Sequence, residues 1–381
     1  FHQWEVMPSF LLGEWLFIAC ALLAFVHAAR QSGASRRRHL FVWFGALLAG
    51  TGNDTIFMAL PLVDNFWQAQ ATVMLTSRMP LYIPCVYVWF MYVPTVAGWR
   101  FAARFGRLPW WGSAPLAGLA AIIVYAPYDI VGAKFLWWTW HDTDSPIGHR
   151  LLGAPIGSTM WVITFVAAFS AIVGWAVREE LTPRRIAKTL PVVALASTPV
   201  MVLQVTVLQS FDEGVPGPRG LVFVVALYTA LIVAGFRRRQ ASRWPASGLA
   251  RPLWAVVAVY FVSLTLIEAA FDPATHRSLS VHQTVGPCYV EATDITGLTR
   301  FAYLCPADFD EDFSFSCAAP PPDGARWYTV CGRPHRSYGL WLAAVGGLGL
   351  LGSILYGGLL LLPAGVRSPA ESSPGLRPGA A

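Results

Sequence analysis

Long apolar stretches alternate with polar connections along this chain of 381 residues. Nine of the stretches have, or nearly have, the ~20 helical residues needed to cross a bilayer core of ~30 Å. The predicted spans are Phe10–Ala29, Leu40–Leu62, Leu81–Phe101, Pro109–Pro127, Gly153–Val177, Thr189–Gln209, Gly220–Phe236, Pro252–Phe271 and Tyr338–Leu362. The pattern predicts an all-α fold, a polytopic bundle of about nine membrane helices.

The pattern divides the chain into four parts, one of which is its longest polar connection. Residues 272–336 contain four of the six cysteines, and we expect them to form a small extracytoplasmic subdomain. They separate spans one to eight, within residues 1–271, from the last span at 337–363. Residues 364–381 are rich in Pro, Gly, Ser and Ala, and this composition predicts a disordered tail.

Basic residues indicate the orientation of the predicted bundle. If the N-terminus lies outside, the cytoplasmic connections hold most of the 27 Lys and Arg and few acidic residues. Excess Lys and Arg in short cytoplasmic loops sets membrane orientation. We therefore expect the N-terminus and the cysteine-rich connection to be extracytoplasmic or lumenal and the C-terminus cytoplasmic. The net charge of +6 favours contact with anionic membrane lipids, and no nucleic acid is expected as a partner.

The cysteines of the long connection are Cys288, Cys305, Cys317 and Cys331. An even number of cysteines in a polar, extracytoplasmic loop predicts two disulfides, with three connectivities open. A four-cysteine zinc site is the alternative, but it usually contains paired C-x-x-C spacings, and none occurs here.

Three carboxylates lie within predicted spans: Glu14, Asp54 and Glu268. Counted at ~1.5 Å per helical residue, all three lie in the outer third of the membrane. Ionisable residues inside membrane spans usually face the bundle interior and serve function. Alternatively, they hold helices together through hydrogen bonds, which are worth ~0.6 kcal/mol each on average.

A polar segment with His141, Asp142 and Asp144 follows the fourth span on the outer side. Together with the span carboxylates it suggests a polar cavity that opens outward. We predict Asp54, Glu14, Glu268 and His141 as candidates for proton transfer there. Asn53, Asp142 and Asp144 are candidates for ligand binding. Although His and Asp are metal-ligand types, their spacing matches no metal motif, so we assign neither a metal nor a cofactor.

Aromatic residues line the third predicted span. Tyr82 and Trp89 are seven residues apart and share a helix face, and Pro84 between them is expected to kink the helix. With Arg78, they are candidates for binding a long apolar ligand such as a polyene or a quinone. Plain helix packing is the alternative.

Some classes of membrane protein are excluded by what the sequence lacks. There is no phosphate-binding Gly-rich loop, no H-x-x-x-H in a span and no Lys in the middle of a span. These features argue against an ATP-driven pump and a di-iron desaturase, and they exclude a retinal protein.

Three segments carry a resemblance: YAPYDIV at 125–131, WWTW at 137–140 and GAPIGSTMW at 153–161. Over about 40 residues the chain is similar to the multipass family that contains bacterial carotenoid hydratases. The resemblance implies an isoprenoid-handling fold with a polar pocket that protonates a terminal double bond. The Thr-Glu pair of that family is replaced here by Gly52-Asn53-Asp54, so Asp54 would supply the acid. The cysteine-rich loop resembles uncharacterised multipass membrane proteins.

Two functions are expected from these observations. The first is an integral membrane protein that binds or modifies a lipid or isoprenoid in an outward-facing polar cavity. The second is a non-catalytic accessory subunit that uses the disulfide loop to contact partners in a membrane complex. A transporter is a third alternative, but the sequence shows no internal repeat.

Overall fold

Helices dominate the computed structural model, which describes residues 3–60, 65–141, 144–240, 249–281, 284–295, 297–303, 313–315, 317, 322 and 324–361. The helices are α1 Gln3–Val6, α2 Pro8–Ala29, α3 Gly33–Ala59, α4 Tyr82–Phe105, α5 Trp110–Lys134, α6 Ile156–Ala176, α7 Pro183–Gln209, α8 Pro218–Arg237, α9 Ala250–Ala270 and α10 Tyr338–Leu361. The prediction of a mainly helical bundle is confirmed.

The predicted number of nine spans was wrong. In the described part of the chain, eight helices are long and apolar enough to cross a membrane, namely α2, α3 and α5–α10. The third predicted span forms α4, which does not reach this hydropathy. Nearly every side chain of α4 from Tyr82 to Ala97 is buried, because other helices enclose it. A helix enclosed in this way needs no apolar surface for lipid.

The predicted kink at Pro84 was also wrong. Helix α4 begins at Tyr82, so Pro84 lies in the first helical turn. A proline is tolerated there because the first amide groups of a helix have no intrahelical acceptor.

One end of the bundle, which we call the basic end, carries the arginine-rich connections. Arg37 before the middle of α3 pairs with Glu180 between α6 and α7 at 2.7 Å. Arg107 after α4 donates to the Gln240 side chain after α8 at 3.1 Å. These contacts show that connections predicted to share one membrane side do lie at one end of the bundle.

The opposite end carries short antiparallel strands, which we call the β layer. The strands are β1 Phe66–Gln68, β2 Trp138–Trp140, β3 Arg150–Leu151, β4 Ala154–Pro155, β5 Arg277–Val281, β6 Glu291–Thr293, β7 Thr299–Phe301, β8 Phe313–Ser314 and β9 Trp327–Gly332. They pair as β1-β2, β3-β4, β5-β9-β8 and β6-β7. The sequence analysis did not predict these strands, which are only two to six residues long.

The β layer has its own small core. Trp67 of β1 and Leu136 after α5 pack with Val285, Phe313 and Val330 of the cysteine-rich connection. This cluster joins the segments at β1 and after α5 to the cysteine-rich connection, above the helices.

The disulfide prediction is confirmed for one pair. Cys317 is bonded to Cys331, with the Cα atoms 5.8 Å apart. Cys288 is also disulfide-bonded, and Cys305 lies outside the described residues. The Cys317–Cys331 bond excludes the two connectivities that pair either of these cysteines with another one. Residues 364–381, predicted to be a disordered tail, also lie outside the described residues.

A buried histidine ties the first long helix to the β layer. His276 is 1% exposed, and its Nε2 lies 2.7 Å from the hydroxyl oxygen of Ser9. Its Nδ1 lies 3.0 Å from the carbonyl oxygen of Asp272, and Trp137 donates its indole N–H to Ser9 at 3.1 Å. Burial lowers the pKa of His276 to about 4, although the neighbouring Asp272 opposes the shift.

We expect acid to destabilise the fold through His276. Its folded pKa lies below the usual value of 6.5, so between pH 6.5 and about 4 the unfolded chain binds a proton that the folded chain does not. Stability present above pH 6.5 is therefore lost as the pH falls through this window, by on the order of 3 kcal/mol. Thermal unfolding in mild detergent measures the effect.

Two variants identify the responsible group. His276→Gln should lower the melting temperature at pH 7.5 but flatten its decline towards pH 4. His149→Gln, at an exposed position, should retain the wild-type profile. An unchanged slope in His276→Gln would contradict the assignment.

Candidate functional site

A cavity of about 510 Å³ lies between the helices and the β layer. Its wall is formed by α3, α4, α5, α6 and α7, by β1 and β2, and by the turn between β6 and β7. The wall contains nine aromatic residues, Phe57, Phe66, Tyr87, Phe90, Tyr125, Tyr128, Trp138, Trp140 and Trp161. Binding sites for small molecules are typically apolar cavities of this size with a few convergent polar groups.

The polar groups converge where α3, α4 and α7 meet. Tyr87 donates its hydroxyl hydrogen to Oδ1 of Asp54. Asn53 donates its amide to the Tyr87 oxygen at 3.4 Å and accepts from Thr198 at 3.1 Å. Asp54, Asn53 and Tyr87 all line the cavity. The network therefore holds the Asp54 carboxyl group at the wall of a cavity rich in aromatic residues.

A glycine one helical turn before Asp54 makes this contact possible. A Cβ atom on Gly50 would lie 2.2 Å from Cβ and Cγ of Tyr87. Positions i and i+4 of a helix share a face, so Gly50 and Asp54 both face α4. The tyrosine packs over the glycine and its hydroxyl reaches the carboxylate.

Two faces of α4 have different surroundings. Ile83, Val86, Tyr87 and Phe90 follow the i, i+3, i+4, i+7 pattern and line the cavity. Trp89, predicted as a ligand residue, lies instead against Tyr260 of α9, with ring centroids 5.5 Å apart.

Tyr82 and Arg78 lie beside the cavity wall. The Tyr82 hydroxyl donates to the side-chain oxygen of Gln68 at 2.6 Å, and Gln68 lines the cavity. Arg78 donates to the carbonyl of Met58 at 2.7 Å, where α3 ends. Carbonyl groups in the last turn of a helix lack intrahelical partners, so Arg78 stabilises that end.

Glu14 and Glu268 are buried but do not line the cavity. Glu14 accepts the backbone N–H groups of Thr72 at 3.0 Å and Val73 at 3.2 Å, which fixes the segment between β1 and α4. The carboxylate oxygens of Glu268 form no hydrogen bond with any described residue. Of the three carboxylates predicted within spans, only Asp54 belongs to the cavity wall.

His141 and Asp144 lie in the β layer, and Asp142 lies outside the described residues. The ring of His141 is 5.9 Å from that of Trp67. Burial lowers its pKa below the usual range, although the charge of Asp144 opposes the shift. His141 does not line the cavity.

A buried ion triad holds the cysteine-rich connection over the cavity. Arg300 of β7 makes a bidentate contact with Asp144, with Nε 3.1 Å from Oδ1. Its Nη1 lies 3.3 Å from Oδ2 of Asp294 in the β6–β7 turn. Arg300 and Asp294 line the cavity, so the triad fastens the turn across it. Sequence reasoning singled out Asp144 but neither Arg300 nor Asp294.

Asp129 is a further carboxylate near the cavity that the sequence analysis missed. Tyr128 and Asp129 were assigned to an outer connection, but α5 continues to Lys134 and buries both. Tyr125 and Ser158, which line the cavity, are its polar neighbours. Tyr125, Tyr128 and Asp129 have the i, i+3, i+4 spacing of a helix face. This spacing could have predicted from the sequence that the helix continues past Pro127.

The cavity reaches the outer surface of α7. Val202 and Thr206 belong to its wall, and both are exposed on the bundle surface, Val202 to 41%. Both positions lie in a helix that is long and apolar enough to cross a membrane. Part of the cavity wall is therefore exposed on the apolar flank of the bundle, and Ser210, Gly214 and Gly297 of the wall are exposed near its β-layer end.

Among the described residues, no group of three or more His, Cys, Asp or Glu side chains is placed to hold a metal ion. Asp144, whose carboxylate is a metal-ligand type, forms an ion pair with Arg300.

The fold and the cavity define a bundle of membrane-length helices with an internal cavity rich in aromatic residues. The chain belongs to the family described as a domain of unknown function, DUF7802, whose model matches residues 2–357. No curated protein and no solved structure matches the chain. The family description assigns no activity, so the resemblance to carotenoid hydratases stays a prediction.

We expect Gly50→Ala to disturb the network at Asp54. The added methyl group overlaps the Tyr87 ring, and overpacking of this kind costs about 1–3 kcal/mol. The melting temperature in detergent should fall. Gly52→Ala is the matched control in the same helix, because a Cβ there meets no atom within 4 Å. It should be neutral or slightly stabilising, and equal losses in both variants would contradict the packing argument.

Arg300→Met should destabilise the β layer. Removing the guanidinium leaves Asp144 and Asp294 buried without their cation, which costs about 3–5 kcal/mol. Thermal unfolding and the rate of limited proteolysis within residues 284–303 measure the loss. Arg277→Met, at an exposed position of β5, should behave as wild type. A fully protected segment in Arg300→Met would show that the triad does not fasten it.

Proposed function

We propose that this protein is a multi-pass membrane protein that binds an amphiphilic lipid or isoprenoid in the cavity between α3, α4, α6 and α7. The observation that carries the proposal is the cavity itself, with aromatic walls, a polar network at Asp54, and wall residues Val202 and Thr206 exposed on the flank of α7. An apolar chain would contact the aromatic walls and the flank of α7. The polar group of the ligand would contact Asp54, Asn53 or Tyr87.

The chemistry of the wall supports an amphiphile over a small polar solute. Most of the lining side chains are apolar or aromatic, and burying apolar ligand surface against them is favourable by roughly 25 cal/mol per Å². A lipid-like ligand could enter from the bilayer through the flank of α7 without crossing water.

The charge distribution supports the predicted orientation. The basic end would face the cytoplasm, since Lys and Arg are enriched in cytoplasmic loops. The β layer would face an oxidising extracytoplasmic or lumenal compartment, where disulfides such as Cys317–Cys331 persist. The cavity would then lie in the outer half of the membrane.

If the protein modifies its ligand, Asp54 is the group proposed to exchange the proton. The other carboxylate of the wall, Asp294, is engaged by Arg300. Glu14, Glu268 and His141, which were also predicted for this role, are not part of the wall. The alternative of an accessory subunit relies on the cysteine-rich connection, and much of its acidic part, residues 304–312, lies outside the described residues.

We expect the protein purified in mild detergent to retain one lipid or isoprenoid molecule per chain. Mass spectrometry of the organic extract and an absorbance scan for a polyene or quinone measure the retained ligand. Asp54→Asn should reduce the ligand content several-fold, because it removes the carboxyl group proposed to contact the polar group of the ligand, while its amide oxygen can still accept from Tyr87.

Glu268→Gln is the matched control. It neutralises another buried carboxylate in a membrane-length helix, but one outside the cavity wall. It should retain the ligand. Full ligand content in folded Asp54→Asn, or only bulk phospholipid in the wild type, would overturn the proposal.

A further inference from the structure

Acidic side chains outnumber basic side chains among the described residues of the cavity wall. The lining residues include two carboxylates, Asp54 and Asp294, and a single basic side chain, Arg300. Arg300 is already shared between Asp294 and Asp144. No Lys, Arg or His among the described residues forms an ion pair with Asp54. The described part of the protein therefore supplies no cationic partner for the Asp54 carboxyl group.

Aromatic rings extend from this carboxylate along the cavity. The ring of Tyr87 lies 5.1 Å from that of Phe90 and 5.7 Å from that of Trp161. Phe90 leads to Tyr125 at 5.0 Å, and Tyr125 leads to Tyr128 at 5.4 Å. Aromatic faces carry partial negative charge and attract cations that lie over them.

We propose that the polar end of the ligand is an ammonium group, bound by Asp54 and the aromatic wall beside it. This inference rests on the proposed function and specifies the ligand class. An ammonium ion compensates the buried carboxylate, and its methyl or methylene groups contact the rings. An anionic head group would lie near two carboxyl groups. No basic side chain in the described part of the wall is left to pair with it. A neutral alcohol would leave the Asp54 carboxyl group without a cationic partner, whereas an ammonium group supplies one and favours the ionised carboxylate.

A pair of isosteric probes tests the charge directly. Choline and 3,3-dimethylbutan-1-ol have the same shape, and they differ in having a quaternary nitrogen or a quaternary carbon. Each is titrated into the full-length protein, purified in a neutral detergent and freed of retained ligand. The dissociation constants are taken from the shift in melting temperature and from tryptophan fluorescence, because Trp138, Trp140 and Trp161 line the cavity.

We expect choline to bind at least roughly 10-fold more tightly than the alcohol, because cation–π contact adds to the attraction of the carboxylate in a desolvated site. Asp54→Asn should abolish this preference. Trp161→Leu should reduce it, whereas Trp175→Leu, in the same helix but outside the cavity wall, should not. The preference of the wild-type protein is informative even if a variant fails to fold.

The outcomes separate the inference from the proposed function. Equal affinity for the two probes, unchanged in Asp54→Asn, would overturn the ammonium inference but leave a lipid-binding cavity. If neither probe binds, the ammonium inference also fails. The proposed function then stands if the organic extract of the same preparation holds a stoichiometric lipid or isoprenoid, and it fails if it does not.

Discussion

The hydrogen bond from Tyr87 to Asp54 is the interaction on which the candidate site depends. A carboxylate between apolar helices is costly unless a donor satisfies it. The donor is on α4, so α3 and α4 must approach closely, and Gly50 leaves room for the tyrosine ring. Asn53 extends the network to Thr198 and fixes α7 at the same point. The cavity is the space that remains beside this junction.

Helix α4 is buried by neighbouring helices and therefore needs no apolar surface that faces lipid. It does not reach the hydropathy of a membrane-length helix, yet it lies in the interior, where its side chains from Tyr82 to Ala97 are nearly all buried. One face packs against α2 and α9, where Phe10 contacts Tyr82 and Tyr260 contacts Trp89. The other face, with Tyr87 and Phe90, lines the cavity. The same helix therefore supports the core and forms the site.

The β layer has a different role, which is to hold buried charged groups together. These groups would find few polar partners among the apolar helices. Buried charges need partners, and Arg300 finds two in Asp144 and Asp294. These residues join the connection after α5 to the cysteine-rich connection after α9. The Cys317–Cys331 bond constrains the same region. The ion triad holds the β6–β7 turn across the cavity, and the disulfide constrains the β8–β9 part of the same connection.

The helices can be predicted from local patterns in the sequence. Which of their faces form the site depends on how the helices pack in the tertiary structure. The length of an apolar stretch is a local property, so Phe10–Ala29 was predicted within two residues of α2. Cysteine content and the carboxylates within spans are equally local, and Asp54 was found in this way. Which face of α4 meets the cavity depends on how the helix is rotated against its neighbours, which hydropathy does not encode. The pairing of Arg300 with Asp144 joins residues 156 positions apart. Burial of Asp129 depends on how far α5 continues past Pro127 once β2 and α6 pack beside it.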